Sequence, residues 1–216
     1  MPRQNRVTPS GTIIAVPERG TLMGNRGILH NADGQIRRPW KEKRWLICML
    51  EFNGRQRQVM APNRYTELFF LDEATALAAG HRPCFECRRA RFLAFRDAWA
   101  TGNHPAVPPE TIKAGMIDER LHAERLGPGR SKRTFPANVD DLPDGVLITR
   151  PDESGGAYLV WGEHLLAWSP GGYAERRQRP TAATFSVLTP RSTVAAIRAG
   201  YQLDVHSSVS KAGRTM

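Results

Sequence analysis

The sequence predicts an α+β fold in two parts, a small domain with a β-hairpin and two helices followed by a small β-rich domain with one C-terminal helix. Three observations lead there. Short β-type runs alternate with two helical stretches over residues 12–100, similar runs return over 141–206 with one late helix, and residues 101–140 between them are rich in proline, glycine and charge. The expected division is a basic first domain at 1–100, a helical and loop connector at 101–140, the β-rich domain at 141–206 and a flexible tail at 207–216.

The first domain opens its pattern with Trp45 to Phe52, then Asn53-Gly54, then Arg55 to Met60. Asn-Gly between two such runs predicts a type I′ hairpin, because both turn residues must accept positive φ. Period-2 geometry then sets Leu46, Cys48, Leu50 and Phe52 on one face, which predicts a Cys48 enclosed by apolar neighbours. Asp72 is the expected N-cap of a helix rich in alanine that Gly80 stops. After Arg82-Pro83, the spacing of Phe85, Phe92, Phe95 and Trp99 predicts a second helix with an aromatic stripe facing the core.

The connector predicts a helix around 109–126 and a mobile basic loop at Gly127 to Arg133. In the last part, strands are expected at 146–150, 157–161, 164–168 and 184–188. Thr189-Pro190 opens a final helix that Gly200 ends. Trp161, Trp168, Tyr158 and Tyr173 in this part suit a core or an interface.

Three cysteines, at 48, 84 and 87, are too few and too unevenly spaced for a disulfide framework. Cys84 and Cys87 form a Cys-x-x-Cys pair at a predicted helix start, where two thiolates reach one ion and the helix N-terminus favours the thiolate form. A thioredoxin-like dithiol and two incidental cysteines remain as other readings of the spacing. Tetrahedral zinc needs two further ligands, for which Cys48 is the first candidate and His30 the second. His81 ranks below His30, and water can complete the set. The first domain is therefore expected to be organised by one zinc ion.

The segment Phe69-Phe70 through Ala79-Gly80-His81-Arg82-Pro83-Cys84 to Cys87-Arg88 resembles the second half of the Ada-type metal-binding domain, over about 20 residues. That resemblance implies zinc bound by cysteines, contact with DNA phosphates, and methyl transfer from a methylated phosphate to a thiolate of the first cysteine pair. The second pair maps onto Cys84 and Cys87. The first would fall near Asn53 to Arg57, where there is no sulfur, so repair of methyl phosphotriesters by that route is not expected. The whole chain also resembles a bacterial family that pairs Met23-Gly24-Asn25-Arg26-Gly27 with Leu188-Thr189-Pro190 and Ala199-Gly200-Tyr201, a likeness that implies no activity.

The net charge is +10, and residues 1–64 hold 12 lysines and arginines against 4 aspartates and glutamates, a local net of +8. A concentrated positive field attracts polyanions. The expected nucleic-acid contacts are Arg37, Arg38, Lys41, Lys43, Arg44, Arg55, Arg57, Arg82, Arg88, Arg89 and Arg91, directed at the backbone, with DNA as the expected partner. No membrane span or signal peptide is predicted, which points to the cytoplasm.

The leading expectation is a zinc-binding, nucleic-acid-binding protein in DNA repair or damage recognition. A metal-dependent nuclease or methyl-transfer enzyme is the alternative, with Glu51, Asp72 and Glu86 as candidate bases, and a protein–protein adaptor is the third. The sequence holds no complete catalytic constellation.

Overall fold

The computed structural model describes residues 1–54, 58–150 and 156–212, and it is α+β with two six-stranded sheets. The first sheet contains β1 (Gln4–Val7), β2 (Ile13–Ala15), β3 (Leu22–Asn25), β4 (Leu46–Cys48), β5 (Leu68–Phe70) and β6 (Arg82–Pro83), in the order β2-β1-β5-β3-β4-β6. Helices α1 (Glu73–Ala78), α2 (Arg89–Asn103) and α3 (Ala114–Arg125) follow in the chain, α1 before β6 and the others after it. The second sheet contains β7 (Phe135–Asn138), β8 (Leu147–Thr149), β9 (Tyr158–Trp161), β10 (His164–Ser169), β11 (Gly172–Gln178) and β12 (Thr184–Val187), in the order β11-β10-β9-β8-β12-β7. Two helices close the chain, α4 (Arg191–Arg198) and α5 (Ser208–Lys211).

The Asn53-Gly54 turn does have positive φ at both residues, 52° and 63°. Residues 55–57, which begin the second strand of the expected hairpin, lie outside the described residues. Strand β4 itself pairs antiparallel with β3 on one edge and parallel with β6 on the other. Gly24 explains the tight fit of β3 on β4, because a Cβ there would lie 2.0 Å from the Leu46 carbonyl oxygen.

Helix α1 matches its expected caps. Asp72 accepts from the Thr75 amide at 2.8 Å, and Gly80 takes φ 95° after the last turn. The Asp72 carboxylate also accepts from the Tyr173 hydroxyl at 2.9 Å and the His206 amide at 3.0 Å. It is thus a buried joint between the two sheets rather than a base, which corrects its candidacy. Burial pushes its pKa up, although those hydrogen bonds act the other way.

Helix α2 begins at Arg89 rather than Phe85, and it buries Phe92, Phe95 and Trp99 as the stripe predicts. Phe85 itself is exposed. Helix α4 crosses α2 closely: a Cβ on Gly102 would lie 2.4 Å from the Ala195 carbonyl oxygen, and the Asn103 amide donates to the Ser192 carbonyl at 3.0 Å. Ala196 and Tyr201 accordingly share a core with Phe95, Trp99 and Ile47 from the first sheet's side.

Two loop expectations need correction. Residues 127–133 are not a free basic loop, since Leu126 bridges Lys132 and the Lys132 amine is enclosed on the Ala78 carbonyl oxygen. The tail expected from 207 includes α5, whose Val209 is buried against the second sheet. Tyr158 and Tyr173 are buried, and the Trp168 indole donates to the Thr75 hydroxyl at 3.0 Å. Tyr158 and Tyr173 belong to the core, and Trp161 and Trp168 pack half-buried against it.

Candidate metal centre

The site is assembled by strand pairing. Strand β6 runs parallel to β4 with Leu46 opposite Arg82 and Ile47 opposite Pro83, and the Cys84 amide donates to the Ile47 carbonyl at 2.9 Å. That register sets Cys84 beside Cys48. The chain then turns once, with the Arg88 amide donating to the Cys84 carbonyl at 3.2 Å, and the turn returns Cys87 to the same place. The three Sγ atoms lie within 4.8 Å of one another.

A buried ion pair holds β6 in that register. Arg82 Nε and Nη2 donate to the two oxygens of Asp118 on α3 at 2.9 and 2.8 Å, both side chains being almost wholly enclosed. On the far side of the turn, Arg88 Nη1 donates to Glu73 at 2.8 Å, and Glu73 also holds Arg91, the Tyr201 hydroxyl and the Asp204 amide. The cysteine turn is thus clamped at both ends by carboxylates.

The sulfurs are supplied with N–H donors. The Glu86 amide reaches Cys84 Sγ at 3.4 Å, the Cys87 amide also donates to Cys84, and the Met49 amide donates to Cys87. Hydrogen bonds from Cys48 and Cys87, with these amides, pull the Cys84 thiol well below its ordinary value. Cys48 is pushed up by its hydrogen bonds to Cys84 and Cys87 and by burial. For Cys87, the hydrogen bond with Cys48 lowers the pKa, but the bond to Cys84, burial and the Cys84 charge together leave it raised. Thiols this close compete for their protons, and a divalent cation would take the place of those protons. The group can hold a metal ion.

The cluster forms part of the wall of a cleft of about 380 Å³. Leu46, Cys48, Leu50 and Phe52 all line the cleft and not a sealed core, but the strand ends at Cys48 and Met49 and Glu51 line the cleft as well, so the expected alternation does not extend past Cys48. Ile47, pointing the other way, is the fully buried residue. Glu51, Glu67 and Glu86 also line the cleft, while Met49, Leu50 and Phe85 are exposed around it. Glu67, Met23 and Phe69 were not legible as site residues, because strand pairings far apart in sequence bring them there.

His30 is not part of the sulfur group, which corrects its candidacy as a ligand. Its Nδ1 lies 2.6 Å from the Thr66 hydroxyl and its Nε2 3.3 Å from the Ala61 carbonyl oxygen, so both ring nitrogens are engaged. His81 is wholly buried against Phe70 and Trp45 and accepts from Arg26 Nε at 3.1 Å. Burial and the neighbouring Arg26 and Arg125 charges hold its pKa well below the usual imidazole value.

Among the expected basic contacts, Arg37, Arg38, Lys41, Lys43, Arg44 and Arg89 are exposed. Lys43 and Arg44 make surface ion pairs with Glu119 and Glu42, and Arg89 lies over the Phe85 ring at 4.4 Å. Arg82 and Arg88 are corrected to buried structural cations, and Arg91 is half-buried on Glu73. Arg55 and Arg57 lie outside the described residues. No helix among the described residues is long and apolar enough to cross a membrane. In comparisons with known proteins, no family model, no curated protein and no solved structure matches the chain.

Proposed function

We propose that the protein binds one zinc ion through Cys48, Cys84 and Cys87 and binds nucleic acid, with DNA as the expected partner, through its exposed basic residues. The observation that carries the zinc half is the convergence of three sulfurs from positions 36 residues apart. Tetrahedral zinc with sulfurs at about 2.3 Å needs them about 3.8 Å apart, which fits within the 4.8 Å span, and thiolates suit zinc over harder cations. Three protein ligands leave one coordination position, and the cleft beside the cluster gives water or a ligand access to it.

The net charge of +10 and the run Arg37, Arg38, Lys41, Lys43 and Arg44 support the nucleic-acid half. The likeness of the Arg82 to Cys87 segment to the Ada-type domain agrees with it and with a role in DNA repair or damage recognition. The test is fluorescence anisotropy on labelled duplex and single-stranded DNA over a series of salt concentrations. Affinity falling steeply with salt is the expected result, and absence of binding at low salt ends the reading.

A second reading is metal-centred hydrolysis or methyl transfer on DNA, favoured by the open position and by Glu51 and Glu86 in the same cleft. It is tested by incubating the zinc-loaded protein with DNA and analysing both partners for cleavage and for methyl gain.

A further inference from the structure

A second site stands apart from the cysteines. Arg26, Arg125 and Lys132 form a buried cationic cluster in which the guanidinium groups of Arg26 and Arg125 lie over the Trp45 ring at 3.9 and 3.8 Å. Arg26 is 1% exposed, and its Nη2 has no hydrogen-bond partner. Burial pulls Arg26 and Arg125 down to about 9, and burial with the charges of those two pulls Lys132 down to about 7. The nearby carboxylate, Asp118, is already engaged at both oxygens by Arg82. Among the described residues Asp118 acts on the cluster only through Arg125, so positive charge exceeds negative there, and buried charge without a counter-ion is costly.

A groove of about 410 Å³ lies next to it, lined by Ser10, Gly11, Thr12, Arg37, Arg38 and Arg130 among others. Arg26 Nη1 donates to the carbonyl oxygens of Gly11 and Pro39 at 2.9 and 3.4 Å, both residues being part of the groove wall. Gly11 has no side chain to screen the cluster, and a Cβ there would lie 3.7 Å from Arg26 Nη2. Ser10 and Thr12 hydroxyls, 3.1 Å apart, add neutral donors on the same wall.

We propose that this groove binds a phosphate monoester or polyphosphate, with exposed Arg37, Arg38 and Arg130 gathering the anion and the buried Arg26, beside Arg125 on the same Trp45 ring, holding fixed positive charge behind Gly11. Several cations around one groove suit an anion with more than one negative charge better than a phosphodiester with one. The source is either a 5′-phosphate end of nucleic acid or a free phosphorylated compound. The inference deepens the nucleic-acid reading by naming the phosphate it selects, and it is independent of the zinc.

The test measures binding of a single-stranded oligonucleotide with and without a 5′-phosphate, and of inorganic pyrophosphate, at low salt. Variants are the triple Arg37→Ala, Arg38→Ala, Arg130→Ala, and as a control the triple Arg64→Ala, Lys113→Ala, Arg176→Ala, none of which lines the groove. All six residues are exposed, so the fold is spared. The expected result is about tenfold tighter binding of the 5′-phosphorylated strand or of pyrophosphate, lost in the groove variant and kept in the control. Preference for the phosphorylated strand assigns the nucleic-acid end, and pyrophosphate binding without that preference assigns a free compound. Equal binding of both strands with no pyrophosphate binding overturns the groove while leaving general nucleic-acid affinity standing. Equal losses in the two variants also overturn it.

Discussion

The Cys84 amide donates to the Ile47 carbonyl oxygen at 2.9 Å, and through that one bond the Cys-x-x-Cys turn is stitched beside the strand that carries Cys48. The three-sulfur group therefore depends on the β4 and β6 pairing as much as on the sulfurs themselves. Whatever loosens β6 should loosen metal binding.

Asp118→Ala tests that dependence. It leaves Arg82 as an unpaired buried cation, and the expected cost is about 3–5 kcal/mol in denaturant unfolding. Metal affinity should fall with it, although Asp118 is not in the sulfur group. A change under about 0.5 kcal/mol, the range of ordinary surface substitutions, would show that the pair does not hold β6.

Lys132 sets a pH dependence. Its folded pKa of about 7 lies below the ordinary 10.5, so between those values the unfolded chain binds the proton that the folded one has released. Stability should rise as pH climbs from about 7 toward 10.5, and the Lys132 part is absent below that window. His81, also lowered, adds a rise with the same sign that is complete by about pH 6.5. Lys132→Met should flatten the curve between pH 7 and 9, measured by denaturant titration at each pH. An unchanged slope would contradict the enclosure of the amine.

Methyl phosphotriester DNA should leave all three cysteines unmodified by mass spectrometry. Cys48 does line a cleft, so access alone is not the reason. Zinc held by three thiolates would carry a net charge of −1 where four would give −2, which would make each sulfur a weaker nucleophile. A gain of one methyl on Cys48 or Cys87 would promote the methyl-transfer reading above the binding one.

Much of the site was legible locally. The Cys84 and Cys87 spacing, the Asp72 cap, the Gly80 stop and the positive-φ Asn53-Gly54 turn all rest on interactions within a few residues. What failed was non-local. Strand period predicts one face for Leu46, Cys48, Leu50 and Phe52, but the strand ends at Cys48 and residues 48–52 line the cleft consecutively, and period cannot tell a cleft from a core. The partners of β4 come from residues 22–25 and 82–83, and no turn signal reports such pairing. Charge was legible as a count and not as a place. Arg82 and Arg88 read as surface cations until Asp118 and Glu73, 36 and 15 residues away, draw them inside. The Arg26 cluster was legible only in pieces, as the glycine-flanked Met23-Gly24-Asn25-Arg26-Gly27 and the basic loop at Gly127 to Arg133, because cations at 26, 125 and 132 form no single motif.

The most direct test of the central claim is elemental analysis of protein purified without added metal, alongside the single variants Cys48→Ser, Cys84→Ser, Cys87→Ser and His30→Ala. The account predicts one zinc per chain in the wild type and in His30→Ala, and a loss of most of it in each cysteine variant. Absence of zinc from the wild type, or zinc retained in full by Cys48→Ser, would contradict the three-thiolate centre.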